Sequence, residues 1–459
     1  MDALDPVLLS RLQFAFVVSF HIVFPAFTIG LAAWLAVLEA AHLASGRGIY
    51  RRVFDFWMTV FAVSFGMGVV TGIVMAFQFG TNWGVLAERM GSVQGPLLGY
   101  EGFTAFMLEA TFFGVMLLGR ERVSPRFYLF ACCMVTLGTM FSSFWIMANN
   151  SWMQVPVGHT IVDGRIVPSD WWAIVAGPVM QVRWPHMLLG AFLTTGMCII
   201  ATGAWYLLRG VHEVEARLML DWGLGLVALL IPLQLFVGHL TGDVVHRHQP
   251  AKFAAIEARW HAEQPAREVL IGWPDAANQR NLFAISVPRL GSFIASGSWD
   301  SREVGLSDFP QADRPPVPIP FFAFRIMVGM GLLMLAVSWC GLWLRWRGRL
   351  AGSRRFLWCA LLSFPSGFVA VLAGWFTAEV GRQPWVVYGL LRTADAVTPS
   401  LRGIDVLVSL TGYVLVYTVL MGFGLRYIYK LLRQGPAAPR PLPSGTTPKR
   451  PMAIASSRD

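Results

Sequence analysis

The sequence predicts an all-α protein that crosses a membrane about nine times, and two observations lead to this fold class. First, the 459 residues are 55% hydrophobic and only 14% charged, whereas a soluble domain usually carries about 25% charged residues. Second, the apolar residues are gathered into long runs, and a run of ~20 mainly apolar residues lets a helix span a bilayer. We therefore expect a polytopic membrane protein.

Nine apolar runs are predicted to be transmembrane helices. Their approximate bounds are 12–42, 53–80, 97–119, 126–149, 185–208, 218–241, 321–344, 356–381 and 403–430. Basic residues follow the odd-numbered runs, for example Arg47 after the first, Arg120 after the third and Arg345 after the seventh. The positive-inside rule places these basic segments in the cytoplasm, so the N-terminus is expected outside and the C-terminus inside.

The chain is predicted to have four parts, one of which is a long polar connection between the sixth and seventh helices. Helices 1–6 occupy residues 1–240, an outer loop occupies 241–320, helices 7–9 occupy 321–433, and a tail occupies 434–459. The outer loop is predicted to be ordered because it contains tryptophans, and loops of this length are usually functional or disordered. Within it, residues 251–260 are predicted to form a short helix. The tail is rich in Pro, Ser and Thr and is predicted to be a disordered cytoplasmic segment.

Ionisable side chains inside the predicted spans are the main indication of function. Even the mildest scale assigns a charged side chain at the bilayer centre a cost of roughly 2.5–3.5 kcal/mol. A protein retains several such groups only if they face one another, water or a bound cofactor. With the predicted orientation, the outer half of the membrane contains these groups and one methionine: His21, Glu101, Glu109, His186, Met327 and Glu379.

Two of these positions are placed more closely by helix geometry. His186 is expected in the first turn of the fifth helix. Glu109 follows Glu101 by eight residues, which in a uniform α-helix is a rise of about 12 Å.

The residue types suit haem, but they leave alternatives open. His186 and Met327 are the ligand types of a six-coordinate low-spin haem, and a histidine with carboxylates suits high-spin haems. A lone histidine in a membrane is nevertheless more often a hydrogen-bonding group, and a methionine is usually packing. A haem-free proton-coupled transporter and a membrane haem b carrier without oxidase activity therefore stay open. The net charge of +10 does not indicate nucleic acid binding, because no basic stripe accompanies it.

Several local strings resemble subunit I of the cytochrome bd-type quinol oxidases. They include SRLQFAFVVSFH (10–21), GPLLGYEGFTAFMLEATF (95–112), NNSWMQVP (149–156), QVRWPH (181–186), AKFAAIEARW (251–260), FAFRIMVG (322–329) and AGWFTAEVGRQPW (373–385). They span nearly the whole chain in the family's order. The resemblance implies a terminal oxidase that oxidises quinol, reduces O2 to water and separates charge across the membrane without a pump. The short outer loop is similar to that of the short-loop class, which includes the so-called cyanide-insensitive oxidases.

The resemblance also implies roles for single residues at the haems. His186 and Met327 would be the axial ligands of a low-spin haem b. His21, Glu101 and Glu379 match the ligands of a high-spin haem b and a haem d (or a third haem b), without a division between the two irons. Glu101, Glu109 and Glu379 would be the catalytic carboxyl groups. Glu109 would lie on the proton route or beside the haem pair, and Ser142 or Ser143 are further candidates for that route.

The same resemblance assigns residues around the haems and in the outer loop. Arg325, Trp375 and Arg382 would pack at haem edges. Lys252 and Glu257 match residues of a quinol-binding loop, so that residues 241–320 would bind quinol. Without the resemblance, this pair is typical of a solvated helix face.

The implied partners follow from the family. They are a second membrane subunit (oxidase subunit II), quinol, O2 and the lipid bilayer. The resemblance also allows a small accessory subunit. The implied location is the bacterial cell inner membrane, as a multi-pass protein.

Overall fold

The computed structural model describes residues 5–436, which form a predominantly helical membrane protein. Nine helical segments in this part of the chain are long and apolar enough to cross a membrane, which confirms the predicted fold class. The helices are α1 (Pro6–Ser45), α2 (Gly48–Thr81), α3 (Gly84–Thr104), α4 (Thr111–Leu118), α5 (Pro125–Gln154), α6 (Trp171–Val175), α7 (Pro178–Arg209), α8 (Glu213–His248), α9 (Pro250–Ile256), α10 (Leu290–Ser296), α11 (Pro318–Trp346), α12 (Arg354–Leu362), α13 (Ser366–Val380) and α14 (Gly403–Gln434).

Short antiparallel hairpins lie in the connections between the long helices. The strands are β1 (His159–Val162), β2 (Arg165–Pro168), β3 (Glu268–Asp275), β4 (Arg280–Val287), β5 (Trp385–Val387) and β6 (Leu391–Arg392), paired in sequence order. The β3–β4 hairpin and the helices α9 and α10 belong to the outer loop. The predicted short helix over 251–260 corresponds to α9, which ends at Ile256. Most of the predicted disordered tail lies outside the described residues.

Most of the long helices extend beyond the predicted spans. The third predicted span began near residue 97, whereas α3 begins at Gly84. The fifth began near 185, but α7 begins at Pro178, so His186 lies two turns inside the helix and not in its first turn. The cause is that hydropathy marks the part of a helix in lipid, whereas local signals such as a proline at the first helical position mark where it begins.

The segment between Glu101 and Glu109 is not a uniform α-helix. A π-helical turn, Ala105–Ala110, joins α3 to α4, and its hydrogen bonds run from i to i+5. The predicted rise of about 12 Å assumed regular α-helix geometry, so that figure does not hold for this segment. Turns of this kind are frequent at functional sites.

Close contact between helix backbones positions the candidate site. A Cβ atom placed on Gly367 of α13 would lie 2.5 Å from Cα of Thr194 on α7. Small residues at such crossings let membrane helices approach closely. Further along the same two helices, α7 carries His186 and α13 carries Glu379, so this crossing fixes the distance between the helices that bear them.

The outer loop is folded against the helix ends. The apolar side of α9 packs with residues of the loop and of α11, in a cluster that includes Ala254, Trp260, Val269 and Phe321. Burial of this apolar surface stabilises the loop on the membrane helices.

Candidate functional site

His186 and Met327 lie in a group of four helices, α7, α8, α11 and α13, which pack against one another. The His186 ring lies against Gly238 of α8, where a Cβ atom would be 3.2 Å from Cε1. The Met327 sulfur lies against Gly374 of α13, 2.9 Å from the position of a Cβ atom. The His186 Nδ1 atom is buried and has no hydrogen-bond partner among the described residues. The sequence-predicted imidazole and thioether are thus in one helix group.

His21 of α1 is oriented by the neighbouring helix α2. Its Nδ1 atom lies 2.9 Å from Thr71 Oγ1, and its ring lies against Gly72. The Thr71 hydroxyl donates its own proton to a backbone carbonyl, that of Met67 at 2.9 Å, so it accepts from His21. This assigns the proton to Nδ1 and leaves the lone pair of Nε2 available for a metal, as in histidine ligands with a hydrogen-bonding partner.

Glu101 and Glu109 both face α5. Glu101 Oε1 accepts a hydrogen bond of 3.0 Å from Ser142 Oγ. Glu109 lies in the π-helical turn and is buried, with its Cγ atom 2.8 Å from the position of a Cβ atom on Gly138. Ser142 therefore contacts a candidate carboxyl group. Ser143 instead donates to the carbonyl of Met140.

The carboxylate of Glu379, at the end of α13, accepts hydrogen bonds from four side chains. Its Oε1 atom accepts hydrogen bonds from Asn150 and Gln154, both at 3.1 Å, and from Arg183 at 3.2 Å. Its Oε2 atom accepts from Arg382. Two guanidinium groups thus face one carboxylate. Arg382 also has two buried nitrogens, Nε and NH1, without a partner in the described part of the chain.

Lys252 of the outer loop is connected to Glu379 through one amide. Lys252 Nζ donates to Gln154 Oε1 at 2.9 Å and to Gln249 Oε1 at 3.2 Å, while Gln154 Nε2 donates to Glu379. Burial first, and then the nearby Arg183 guanidinium, lower the pKa of Lys252 well below its ordinary value. The Lys252 amine can therefore exchange a proton far more readily than a surface lysine can.

Glu257 is paired with Arg325 of α11. Arg325 NH2 lies 3.3 Å from Glu257 Oε2, and the same guanidinium donates to the carbonyls of Ile256 and Val269, both at 2.9 Å. Lys252 is 4% exposed and Glu257 is 5% exposed, so the solvated helix face that the residues alone suggested is wrong. The loop folds over α9 and buries both side chains. The local sequence of residues 251–260 could not reveal this burial, because it depends on residues elsewhere in the loop.

Two further sequence-predicted positions are Trp375 and Arg325. Trp375 is half-buried on α13, next to Gly374. Arg325 points to the outer loop and holds it to α11 through the contacts given above.

Several site residues were not singled out from the sequence. Asn150, Gln154 and Arg183, which hold Glu379, lie inside the strings NNSWMQVP and QVRWPH. The resemblance of those strings was therefore the signal that could have found them. Glu268, which lies 3.4 Å from Arg325 NH2, is in no such string, and its local sequence gives no sign of burial.

The side chains fit haem better than a bare metal ion. Across residues 5–436, no group of three or more His, Cys, Asp or Glu side chains could hold a metal ion. A haem brings its own four nitrogen ligands, so one or two protein ligands suffice. The unpartnered His186 Nδ1, the available His21 Nε2 and the free nitrogens of Arg382 suit an iron and an anionic propionate group.

Within residues 5–436, nine helices long and apolar enough to cross a membrane carry imidazole, thioether and carboxylate groups, with a folded loop at one end. This arrangement is typical of haem-binding membrane proteins of electron transfer. The family model of cytochrome bd terminal oxidase subunit I matches residues 9–436. The chain belongs to this family. The predicted resemblance is thus confirmed, and the transporter and the carrier without oxidase activity are set aside.

Individual relatives agree with this membership. The chain is 34% identical to cytochrome bd ubiquinol oxidase subunit 1 of Bacillus subtilis, over 94% of each chain. It is 32% identical to cytochrome bd-II ubiquinol oxidase subunit 1 of Escherichia coli, over 95% of this chain and 98% of the relative. The bd oxidase structure from Geobacillus thermodenitrificans superposes with a TM-score of 0.87 at 26% identity, covering 95% of this chain and all of that one.

The family membership defines the activity. The chain is a multi-pass membrane subunit of a haem-containing terminal oxidase, a quinol:O2 oxidoreductase of the respiratory chain. Its partner is a subunit II, and its substrates are quinol and O2.

Replacement of Gln154 tests the network around Glu379. In Gln154→Leu, Lys252 and Glu379 each lose one hydrogen bond, and a hydrogen bond to a charged group contributes about 1.5–3 kcal/mol. We expect a lower midpoint of thermal denaturation for the purified complex. The control is Gln181→Leu, which removes an exposed amide that donates only to the Ala176 carbonyl. Equal midpoints for the two variants would contradict the energetic role of this amide.

Proposed function

We propose that His186 and Met327 would hold the low-spin haem b, which would take up electrons from quinol. The observation that carries this proposal is the position of Arg325, which contacts the outer loop and lies two residues before Met327 on α11. The loop and the thioether are therefore neighbours along one helix. When bound, a haem with imidazole and thioether ligands supplies a one-electron centre whose potential the methionine raises.

His21, Glu101 and Glu379 are assigned to the two high-spin haems, a haem b and a haem d (or a third haem b). His21 offers a nitrogen lone pair, Glu101 is anchored by Ser142, and Glu379 is held in place by four donors. When bound, a haem held by one of these side chains would supply the iron that binds O2. Trp375 and Arg382 border these haems, and the free Arg382 nitrogens would hold a propionate group.

The outer loop is assigned to quinol binding, with Lys252 and Glu257 as the polar groups that meet the quinol oxygens. Both side chains are buried, and both are connected to membrane helices, Lys252 through Gln154 and Glu257 through Arg325. A buried amine and a buried carboxyl group can donate to and accept from a diol at defined positions. Such groups supply the few directed contacts that a mainly apolar ligand needs.

Protons complete the proposed mechanism. The quinol protons leave to the outside, whereas the protons for water come from the cytoplasm, so charge crosses the membrane without a pump. Carrying one charge against 100 mV costs about 2.3 kcal/mol. Glu109, which faces α5 at Gly138, is the candidate carboxyl group on the inward route.

Orientation and assembly belong to the same proposal. The basic segments after the odd-numbered spans place the N-terminus outside and the C-terminus in the cytoplasm. The location is the bacterial inner membrane, and a small accessory subunit can accompany subunit II.

The haem assignment is tested by His186→Ala in the purified complex. Loss of an axial ligand should remove the low-spin haem b signal from the reduced-minus-oxidised visible spectrum, while CO-sensitive high-spin signals persist. His261→Ala is the control, because His261 is an exposed residue of the outer loop. Survival of the low-spin signal in His186→Ala would show that His186 is not a ligand.

The proton route is tested by Glu109→Gln. A positioned acid or base contributes typically 10²–10⁴-fold to proton transfer, so O2 consumption should fall by about 10²-fold while the low-spin spectrum is unchanged. The matched control is Glu88→Gln on the preceding helix α3, where the carboxylate is exposed and paired only with Arg165 at 3.4 Å. Normal turnover of Glu109→Gln would remove Glu109 from the route.

The quinol loop is tested by Lys252→Met, which keeps the length of the side chain and removes its amine. Loss of one hydrogen bond of about 0.5–1.5 kcal/mol should raise the KM for quinol by about 2- to 13-fold. Lys430→Met on the exposed surface of α14 should leave KM unchanged. A KM for Lys252→Met equal to that of the unmodified complex would argue against the loop assignment.

A further inference from the structure

A second buried carboxyl group lies beside Glu257. Glu268 begins strand β3 and is 8% exposed. The NH2 atom of Arg325 lies 3.3 Å from Glu257 Oε2 and 3.4 Å from Glu268 Oε1. One guanidinium nitrogen thus contacts two buried carboxyl groups. The proposed function makes no use of Glu268.

A second guanidinium group near this pair lacks hydrogen-bond partners in the described part of the chain. This group, Arg259, acts on Glu268 electrostatically and is only 4% exposed. All three of its guanidinium nitrogens are buried and lack a hydrogen-bond partner among the described residues. The groups that face Glu268 are therefore Glu257 of α9, Arg259 just after it and Arg325 of α11.

The two carboxyl groups lie close together, because both are within reach of the same Arg325 nitrogen. Burial first, and then the charge of Glu257, raise the pKa of Glu268 to about 9, since two carboxylates at close range cannot both be ionised easily. At neutral pH Glu268 therefore holds a proton that it can release. Two neighbouring carboxyl groups can pass a proton from one to the other.

We propose that Glu268 is the second member of a proton-relay pair with Glu257, and that it passes the protons of quinol to the outer surface one at a time. The inference rests on the proposed role of the outer loop in quinol oxidation. Glu268 suits the outward position because Leu270 and Ile271, two and three residues further along β3, are exposed.

The proposed relay accounts for both protons and both electrons that one quinol releases. The first O–H bond breaks, its proton goes to the ionised carboxylate of the pair, and one electron passes into the oxidase. The pair then releases a proton outward through Glu268 and regains its negative charge. The second O–H bond breaks in the same way, so that two protons leave, two electrons enter the oxidase and quinone is formed.

The test is Glu268→Gln in the complete complex, reconstituted in lipid nanodiscs. O2 uptake is measured against quinol concentration and pH, so that kcat and KM are obtained separately. We expect kcat to fall by at least about tenfold, since a positioned proton acceptor contributes 10²–10⁴-fold, with KM within about twofold and an altered pH profile. Tetramethyl-p-phenylenediamine with ascorbate supplies electrons without a proton from the dye, and O2 uptake with this donor should be unchanged.

Glu263→Gln is the matched control, because Glu263 belongs to the same loop but is partly exposed and is paired with Arg267 at 3.2 Å. If Glu268→Gln matches this control in kcat and pH profile, the relay is overturned. A rise in KM with unchanged kcat would also overturn it, since Glu268 would then only shape the pocket. Should Glu268→Gln fail to assemble, Glu268→Asp decides: it keeps a titratable carboxyl group, so kcat should stay above about a tenth of that of the unmodified complex, and a greater loss would refute the relay.

Glu257→Gln, measured in parallel, separates the two proposals. If Glu257→Gln and Lys252→Met both oxidise quinol normally, the quinol loop itself is wrongly assigned. If they are impaired while Glu268→Gln is normal, only the relay fails.

Discussion

The cost of burying charge is the constraint on which the rest of this structure depends. The transfer of an isolated ion from water into an apolar interior costs more free energy than folding can supply. Buried ions must therefore be paired and hydrogen-bonded. Glu379 satisfies this rule with Asn150, Gln154 and two arginines. Because those donors come from α5, α7 and the segment after α13, the pairing also determines how these helices meet.

Close helix contacts serve the same site. His21, His186 and Met327 each lie against a glycine of a neighbouring helix, respectively Gly72, Gly238 and Gly374. A larger residue at any of these glycines would push the ring or the thioether aside. In a family whose cofactors carry out the redox chemistry, the protein contributes this positioning together with the charges around it.

The sequence was sufficient for the number of spans and for the family, because apolar runs and local strings are read directly from the chain. The sequence did not predict where the helices begin and end. For example, α3 begins thirteen residues before the predicted span, which started near residue 97. The sequence could not show that Lys252, Glu257 and Glu268 are buried, because that burial arises when the outer loop folds over α9. The partners of Glu379 likewise depend on three separate segments, and spacing along the chain does not reveal such contacts.

The amide of Gln154 has a consequence for how the outer loop and the membrane helices behave together. Its oxygen faces the Lys252 amine and its nitrogen faces Glu379. A rotation of the amide by half a turn would present oxygen to the carboxylate and disrupt both contacts at once. The attachment of the loop and the orientation of Glu379 therefore depend on the same amide group.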